Sequence, residues 1–171
     1  ASGPETVTAT CYGLNHLSFF DSIRFSGREM LPTLMDDERI YTQTDMRFFS
    51  PELTHKMGCI LNEYLYYFFY REKAVQNILD AGVTRGEVIR DVNRHMTADP
   101  FCFDLTSRDD GGYAGVALRF IRAQQTGKPT EMIFCVPNAG AIPGLLDTDV
   151  VEISCTVRPD GTYTPHRIEH P

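Results

Sequence analysis

The chain has 171 residues, 23 acidic against 16 basic side chains, a formal net charge of −7, and 42% hydrophobic against 23% charged residues. That balance excludes a disordered, collagenous or low-complexity protein. The acidic surface and dispersed arginines disfavour nucleic acid as a partner, and no apolar run approaches the roughly 18 residues of a membrane helix, so no membrane partner is expected. One domain is expected over residues 1–171. No basic segment followed by an apolar one opens the chain, so no signal peptide is read, and the chain begins with Ala1 rather than Met. The five cysteines are odd in number and form no CxxC pair. Buried free thiols in a reducing cytoplasm are the expectation.

Residues 6–12 alternate β-branched and small side chains and predict a strand. Gly13-Leu14-Asn15-His16 breaks it, and residues 17–25 predict a second strand, turning at Ser26-Gly27-Arg28. Residues 28–37 predict a short helix containing Pro32. Ser50-Pro51-Glu52 is a strong helix start: a capping hydroxyl, a proline in the first turn and an acid beside it. The periodicity then predicts one long helix to Leu79, kinked near residues 58–62 and stopped by Gly82. Thr84 with Glu87 forms a capping box for a helix over residues 85–96. A further helix is predicted over residues 113–125, followed by strands over residues 131–136 and 150–157 and a turn at Pro159-Asp160-Gly161. Helices and strands are segregated, which indicates an α+β fold with an antiparallel sheet and packed helices.

No GxGxxG, P-loop, GxSxG or HExxH motif occurs. Three places can carry chemistry. His16, beside Asn15 on a break between two strands, is suited to a metal ligand, a general base or a satisfied structural histidine. The run Tyr64-Leu65-Tyr66-Tyr67-Phe68-Phe69-Tyr70 places Tyr64 and Tyr67 on one helical face and Tyr66 and Tyr70 on another. A tyrosine acts as a base near neutral pH only beside a cation or metal; otherwise the run is aromatic core. Arg108 precedes Asp109, Asp110 and a helix start, so it either clamps an anion or pairs with those acids. His55, His95, His166 and His170 read as surface residues.

Taken together, these segments resemble glycoside hydrolase family 4. Tyr12-Gly13-Leu14-Asn15-His16-Leu17-Ser18 is similar to its GLNHLS segment. Asn62-Glu63-Tyr64-Leu65-Tyr66-Tyr67 is similar to its N-x-Y-L-x-Y-Y helix. Residues 108–117 resemble its R-G-G segment, and residues 138–143 with 147–155 resemble its last strand pair. The resemblance implies the C-terminal, substrate-side domain of a 6-phospho-beta-glucosidase-like enzyme, with the fold of a lactate-dehydrogenase-type C-terminal domain. It implies NAD and Mn2+ as cofactors and a phosphorylated sugar or disaccharide as substrate. It also implies a cytoplasmic homodimer or homotetramer. In that family NAD oxidises C3 of the sugar, a base removes the C2 proton, and the aglycone is eliminated, an exception to two-carboxylate glycosidase chemistry. By resemblance His16 is a metal ligand, Tyr64 the C2 base with Tyr67 as second choice, and Asn15 and Arg108 contact the substrate. The family's Gly-rich NAD turn and its metal-binding cysteine have no counterpart in these 171 residues, so neither cofactor site is complete and this chain alone is expected to be inactive. Within the family, an alpha-glucosidase or galacturonidase is the alternative. A non-catalytic assembly module is the alternative outside it.

Overall fold

The computed structural model describes residues 7–98 and 112–169. Contacts divide the chain into two units, Ala1–Tyr66 with Arg119–Pro171, and Tyr67–Leu118.

The first unit opens with the expected hairpin. β1 (Val7–Leu14) and β2 (Leu17–Phe25) pair antiparallel from Val7↔Phe25 to Leu14↔Leu17, with a bulge after Thr10. The strands therefore close on a two-residue turn, Asn15-His16. Along the other edge of β2 lie two short strands, β3 (Arg28–Glu29) and, later in the chain, β4 (Ile60–Leu61). Between these come α1 (Leu31–Met35), α2 (Ile40–Gln43), a 3-10 turn at Asp45–Phe48, and α3 (Pro51–Met57).

Glu29 organises the start of α1. The side chain of Met30, the residue before that helix, makes no capping bond. Glu29 Oε1 instead accepts the backbone N–H groups of Ile23, Met30 and Leu31, and Oε2 accepts the Ser22 hydroxyl. These bonds, the Ser22 hydroxyl foremost, hold its carboxyl down at about 2. A lowered folded pKa adds stability that is complete above the unfolded value and is lost as pH falls through the folded one. We expect Glu29→Ala to destabilise the chain by about 1 kcal/mol at pH 7, as loss of a helix cap does. The difference from wild type should shrink below pH 4 and vanish only once the pH is below 2. Paired thermal melts across that range measure it.

The long helix expected to run to Leu79 is not continuous. α3 is capped by Ser50 Oγ, which accepts the Leu53 N–H, but it ends at Gly58. Gly58 takes φ 68° and donates its N–H to Thr54, the left-handed termination that glycine favours. Ile60 and Leu61 then pair with Phe20 and Phe19. Helix resumes as α4 (Leu65–Phe69) and α5 (Arg71–Asp80). Sheet pairing thus overrides local helical periodicity, and Tyr64 lies in the turn before α4 rather than on a helical face shared with Tyr67.

The second sheet has the order β5 (Thr130–Pro137), β6 (Val150–Val157), β7 (Tyr163–Pro165), all antiparallel. The odd positions of its central strand face the core. Val151, Ile153, Cys155 and Val157 are fully buried; with Val136, Ala141, Ile142 and Ile168 the first three form the main core cluster. Val157 packs instead with Ala123 and Met132. The even positions face elsewhere, as the period of two requires. Ser154 Oγ accepts the Cys11 N–H at 2.8 Å and donates to the Ala9 carbonyl at 3.3 Å. It thereby satisfies one N–H and one carbonyl of β1 and ties the two sheets together.

In the second unit, Gly82 follows α5 with φ 70°. Thr84 and Glu87 form the expected capping box at the start of α6 (Arg85–Ala98): the Glu87 N–H donates to Thr84 Oγ1 and the Thr84 N–H to Glu87 Oε2. α7 (Tyr113–Thr126) begins here and ends in the first unit. Among the described residues no helix is long and apolar enough to cross a membrane.

Two expectations about single residues need correction. Cys135 is exposed, unlike the buried Cys11, Cys59 and Cys155, because it shares a face with the even positions of β6 rather than with the core. His166 is half-buried: Nε2 lies 2.8 Å from Glu131 and 2.9 Å from the Thr156 hydroxyl, which ties β7 to its neighbours. Of the other histidines, His55 is exposed and pairs with Asp36 at 3.0 Å. Cys102 and His170 lie outside the described residues.

Candidate functional site

The tip of the β1–β2 hairpin is shaped by two backbone requirements. Gly13 has φ 142°, and a Cβ there would stand 2.4 Å from the Leu17 carbonyl oxygen and 2.7 Å from the Ser18 Cα. Only glycine fits so close an approach of the two strands. Three residues on, His16 has φ 62°, a left-handed conformation uncommon outside glycine. The turn therefore projects Asn15 and His16, both exposed, from a paired and bulged ribbon.

His16 meets two partners from distant parts of the sequence. Its backbone N–H donates to Glu152 Oε2 on β6 at 3.1 Å. Its ring stacks on that of Tyr64, with centroids 4.8 Å apart and planes at 26°. Tyr64 is held in turn by Asn62, whose Oδ1 accepts the Tyr64 N–H at 3.1 Å. Asn62 is anchored to β2 through Ser18: its N–H donates to the Ser18 carbonyl at 3.0 Å, and Nδ2 reaches Ser18 Oγ at 3.5 Å. Ser18 is itself buried.

The sequence-derived set thus falls into three groups. His16, Asn15 and Tyr64 come together at one place. Tyr66 is core, 4% exposed and packed on Phe48, whereas Tyr64 and Tyr67 are about half exposed. Arg108 lies outside the described residues. Glu152 and Asn62 were not singled out from the sequence; both sit inside motifs that had been noticed, but only the folded chain shows whose backbone each one holds. Asn138, in the loop between β5 and β6, is fully buried and consumed by its own loop. It donates to the Ile142 and Leu145 carbonyls and accepts the Ile142 N–H.

A metal ion needs several donors, and among the described residues no three His, Cys, Asp or Glu side chains converge to hold one. His16 offers one exposed imidazole. Cys11 is buried, and that burial pushes its thiol up to about 11. Cys59 and Cys155 are pushed up to about 11 by the same cause. Among the described residues the hairpin tip therefore offers one imidazole with a phenol ring stacked on it.

Comparison with known proteins identifies the domain. The model of the family 4 glycosyl hydrolase C-terminal domain matches residues 11–170. A 6-phospho-beta-glucosidase of Thermotoga maritima is 27% identical over 165 residues, which cover 94% of this chain and 40% of that protein. A crystal structure of the 6-phospho-beta-glucosidase from the same organism, with manganese, NAD+ and glucose-6-phosphate, superposes with a TM-score of 0.74 at 24% identity. It covers 96% of this chain and 39% of that one. A 6-phospho-alpha-glucosidase from gut microorganisms, in complex with NAD and glucose-6-phosphate, gives a TM-score of 0.72 at 21% identity, covering 95% and 41%. The chain spans about two fifths of the length of these relatives.

Proposed function

Because the chain belongs to family 4 of the glycosyl hydrolases, matching its C-terminal domain over residues 11–170, we propose that residues 1–171 act as the substrate- and metal-facing domain of a 6-phospho-beta-glucosidase. The observation that carries this reading is the His16–Tyr64 stack, 4.8 Å between centroids. It unites the one exposed imidazole of the hairpin tip with a phenol from a separate motif.

In this reading the assembled enzyme binds NAD and Mn2+, the metal polarising the C2 and C3 oxygens of the sugar and NAD taking up and returning the C3 hydride. This chain contributes four groups. His16 supplies one ring nitrogen to the metal. Tyr64, stacked on that ring, would stand beside the bound metal's charge and serve as the base. Its oxygen then takes the C2 proton made acidic by oxidation at C3, the aglycone departs with a proton from solvent, and water adds at C1 as C2 is reprotonated, before the hydride returns to C3. Asn15, beside His16 on the exposed turn, offers its amide to sugar hydroxyls. Arg108 offers a fork that suits a 6-phosphate. The remaining metal ligands and the nicotinamide site come from other parts of the assembled enzyme. The same proposal places the enzyme in the cytoplasm as a homodimer or homotetramer, in keeping with its buried free thiols.

The beta preference rests on the curated relative at 27% identity. The fold itself accommodates the alpha class nearly as well, with a TM-score of 0.72. We expect the purified 171-residue chain to leave chromogenic 6-phospho-glucosides intact. The longer protein carrying it, given NAD and Mn2+, should cleave the beta anomer and require the 6-phosphate. Turnover by the chain alone, or equal cleavage of the unphosphorylated glucoside, would refute the proposal.

A further inference from the structure

The two residues of the stack are each fixed by the same device. Neither His16 nor Tyr64 lies inside a regular element: His16 occupies a left-handed turn, and Tyr64 the turn before α4. Turn residues are poorly positioned by their own backbone. Here each donates its main-chain N–H to a side-chain oxygen, His16 to Glu152 Oε2 across 136 residues and Tyr64 to Asn62 Oδ1 two residues back. Both acceptors stand on firm ground. Glu152 is half-buried on the central strand β6, between Val151 and Ile153, both 0% exposed. Asn62 follows β4 and is bonded to the buried Ser18. From these juxtapositions we infer that Glu152 and Asn62 are positioning residues that jointly set the distance and tilt of the His16–Tyr64 pair.

This inference deepens the proposed function and rests on it for its catalytic meaning, but its structural content stands separately. It also assigns Glu152 a specific chemical duty. A carboxyl that delivers a proton to substrate is disabled by glutamine, whereas a carboxyl that only accepts an N–H bond is replaced by the glutamine carbonyl. The same logic applies to Asn62→Asp, which retains an Oδ acceptor for Tyr64 and gives up the long 3.5 Å contact to Ser18 Oγ.

The direct test is the ring-proton spectrum of His16 in the 171-residue chain, with the resonance assigned by its disappearance in His16→Asn. Stacking on Tyr64 displaces these protons by the phenol ring current, and Tyr64→Leu should abolish the displacement. We expect it to persist in Glu152→Gln and Asn62→Asp and to collapse in Glu152→Leu and Asn62→Leu. The His55 and His166 resonances should stay in place and report an intact fold. If they move, the alanine variants decide by the same criterion. A displacement that survives both leucine variants overturns the inference, as does one lost equally in the glutamine and aspartate variants. In the longer enzyme, the leucine variants should lose roughly 10- to 100-fold in kcat, the usual worth of a residue that orients a ligand. Glu152→Gln should recover most of it; a glutamine variant as inactive as leucine would overturn the assignment. Because the rest of the metal shell comes from outside this chain, manganese titration of the His16 ring protons in the longer, NAD-loaded enzyme separates the two readings. If His16 is not broadened by Mn2+ while the ring-current pattern holds, the functional reading fails and the positioning inference stands.

Discussion

Tyr64→Phe in the longer enzyme is expected to lower hydrolysis and C2 proton exchange by about 10²- to 10⁴-fold, the range supplied by a positioned general base. NAD binding should be unchanged. The substitution is informative because of what it leaves alone. Phenylalanine keeps the ring that stacks on His16 at 4.8 Å, and the Asn62 bond to residue 64 is to the backbone. Only the hydroxyl goes. Residue 64 is 46% exposed, so the fold should tolerate the loss, and the melting temperature should not move. Exchange at the wild-type rate would remove Tyr64 from the role of base and pass it to Tyr67.

His16→Asn is expected to weaken manganese binding by more than about 100-fold, beyond the 10- to 100-fold that a supporting residue is worth. Asparagine is the right replacement because it tolerates the left-handed φ of 62° at this position, and the backbone N–H to Glu152 Oε2 survives. Stability should change by less than about 0.5 kcal/mol, as at other exposed positions. Manganese affinity, read from water-proton relaxation in the NAD-loaded enzyme, measures the effect. An unaltered affinity would reduce His16 to a structural turn residue.

The hairpin, the N-cap at Ser50, the capping box at Thr84, and the strands β5 and β6 were legible because each depends on neighbours in sequence. Thr84 and Glu87 need only one turn of helix to find each other. The stretch from Gly58 to Asn62 was not legible as a strand. Its two paired residues, Ile60 and Leu61, are held by Phe20 and Phe19, forty residues away, and no local pattern encodes that partnership. The same physics divides the site. His16 and Tyr64 were found by residue type and motif, since a lone imidazole on a turn and a tyrosine cluster stand out in a sequence. Glu152 and Asn62 were not, because their work is done across 136 residues in one case and through a backbone amide in the other. The exposure of Cys135 was misread for a related reason. Its apolar neighbours suggest a buried strand, but strand alternation turns it to the opposite face from Val136, which is 6% exposed.

Two features connect this architecture to the proposed chemistry. Both reactive groups sit on turns, where side chains project from the surface, and both turns are pinned by bonds to rigid strands. That combination suits a site completed by another part of the enzyme, since the groups are preorganised before the rest of the metal shell is added. It also explains why no carboxylate pair of the usual glycosidase kind was apparent in the sequence: the chemistry proposed here needs one base beside a metal, not an acid and a base across a glycosidic bond.

The most direct test is hydrolysis of a 6-phospho-beta-glucoside in D2O by the longer protein carrying this chain, with NAD and Mn2+ present. The account predicts deuterium at C2 of the released sugar phosphate, because the C2 proton is removed and replaced from solvent in each turnover. Hydrolysis that leaves C2 fully protonated would contradict it.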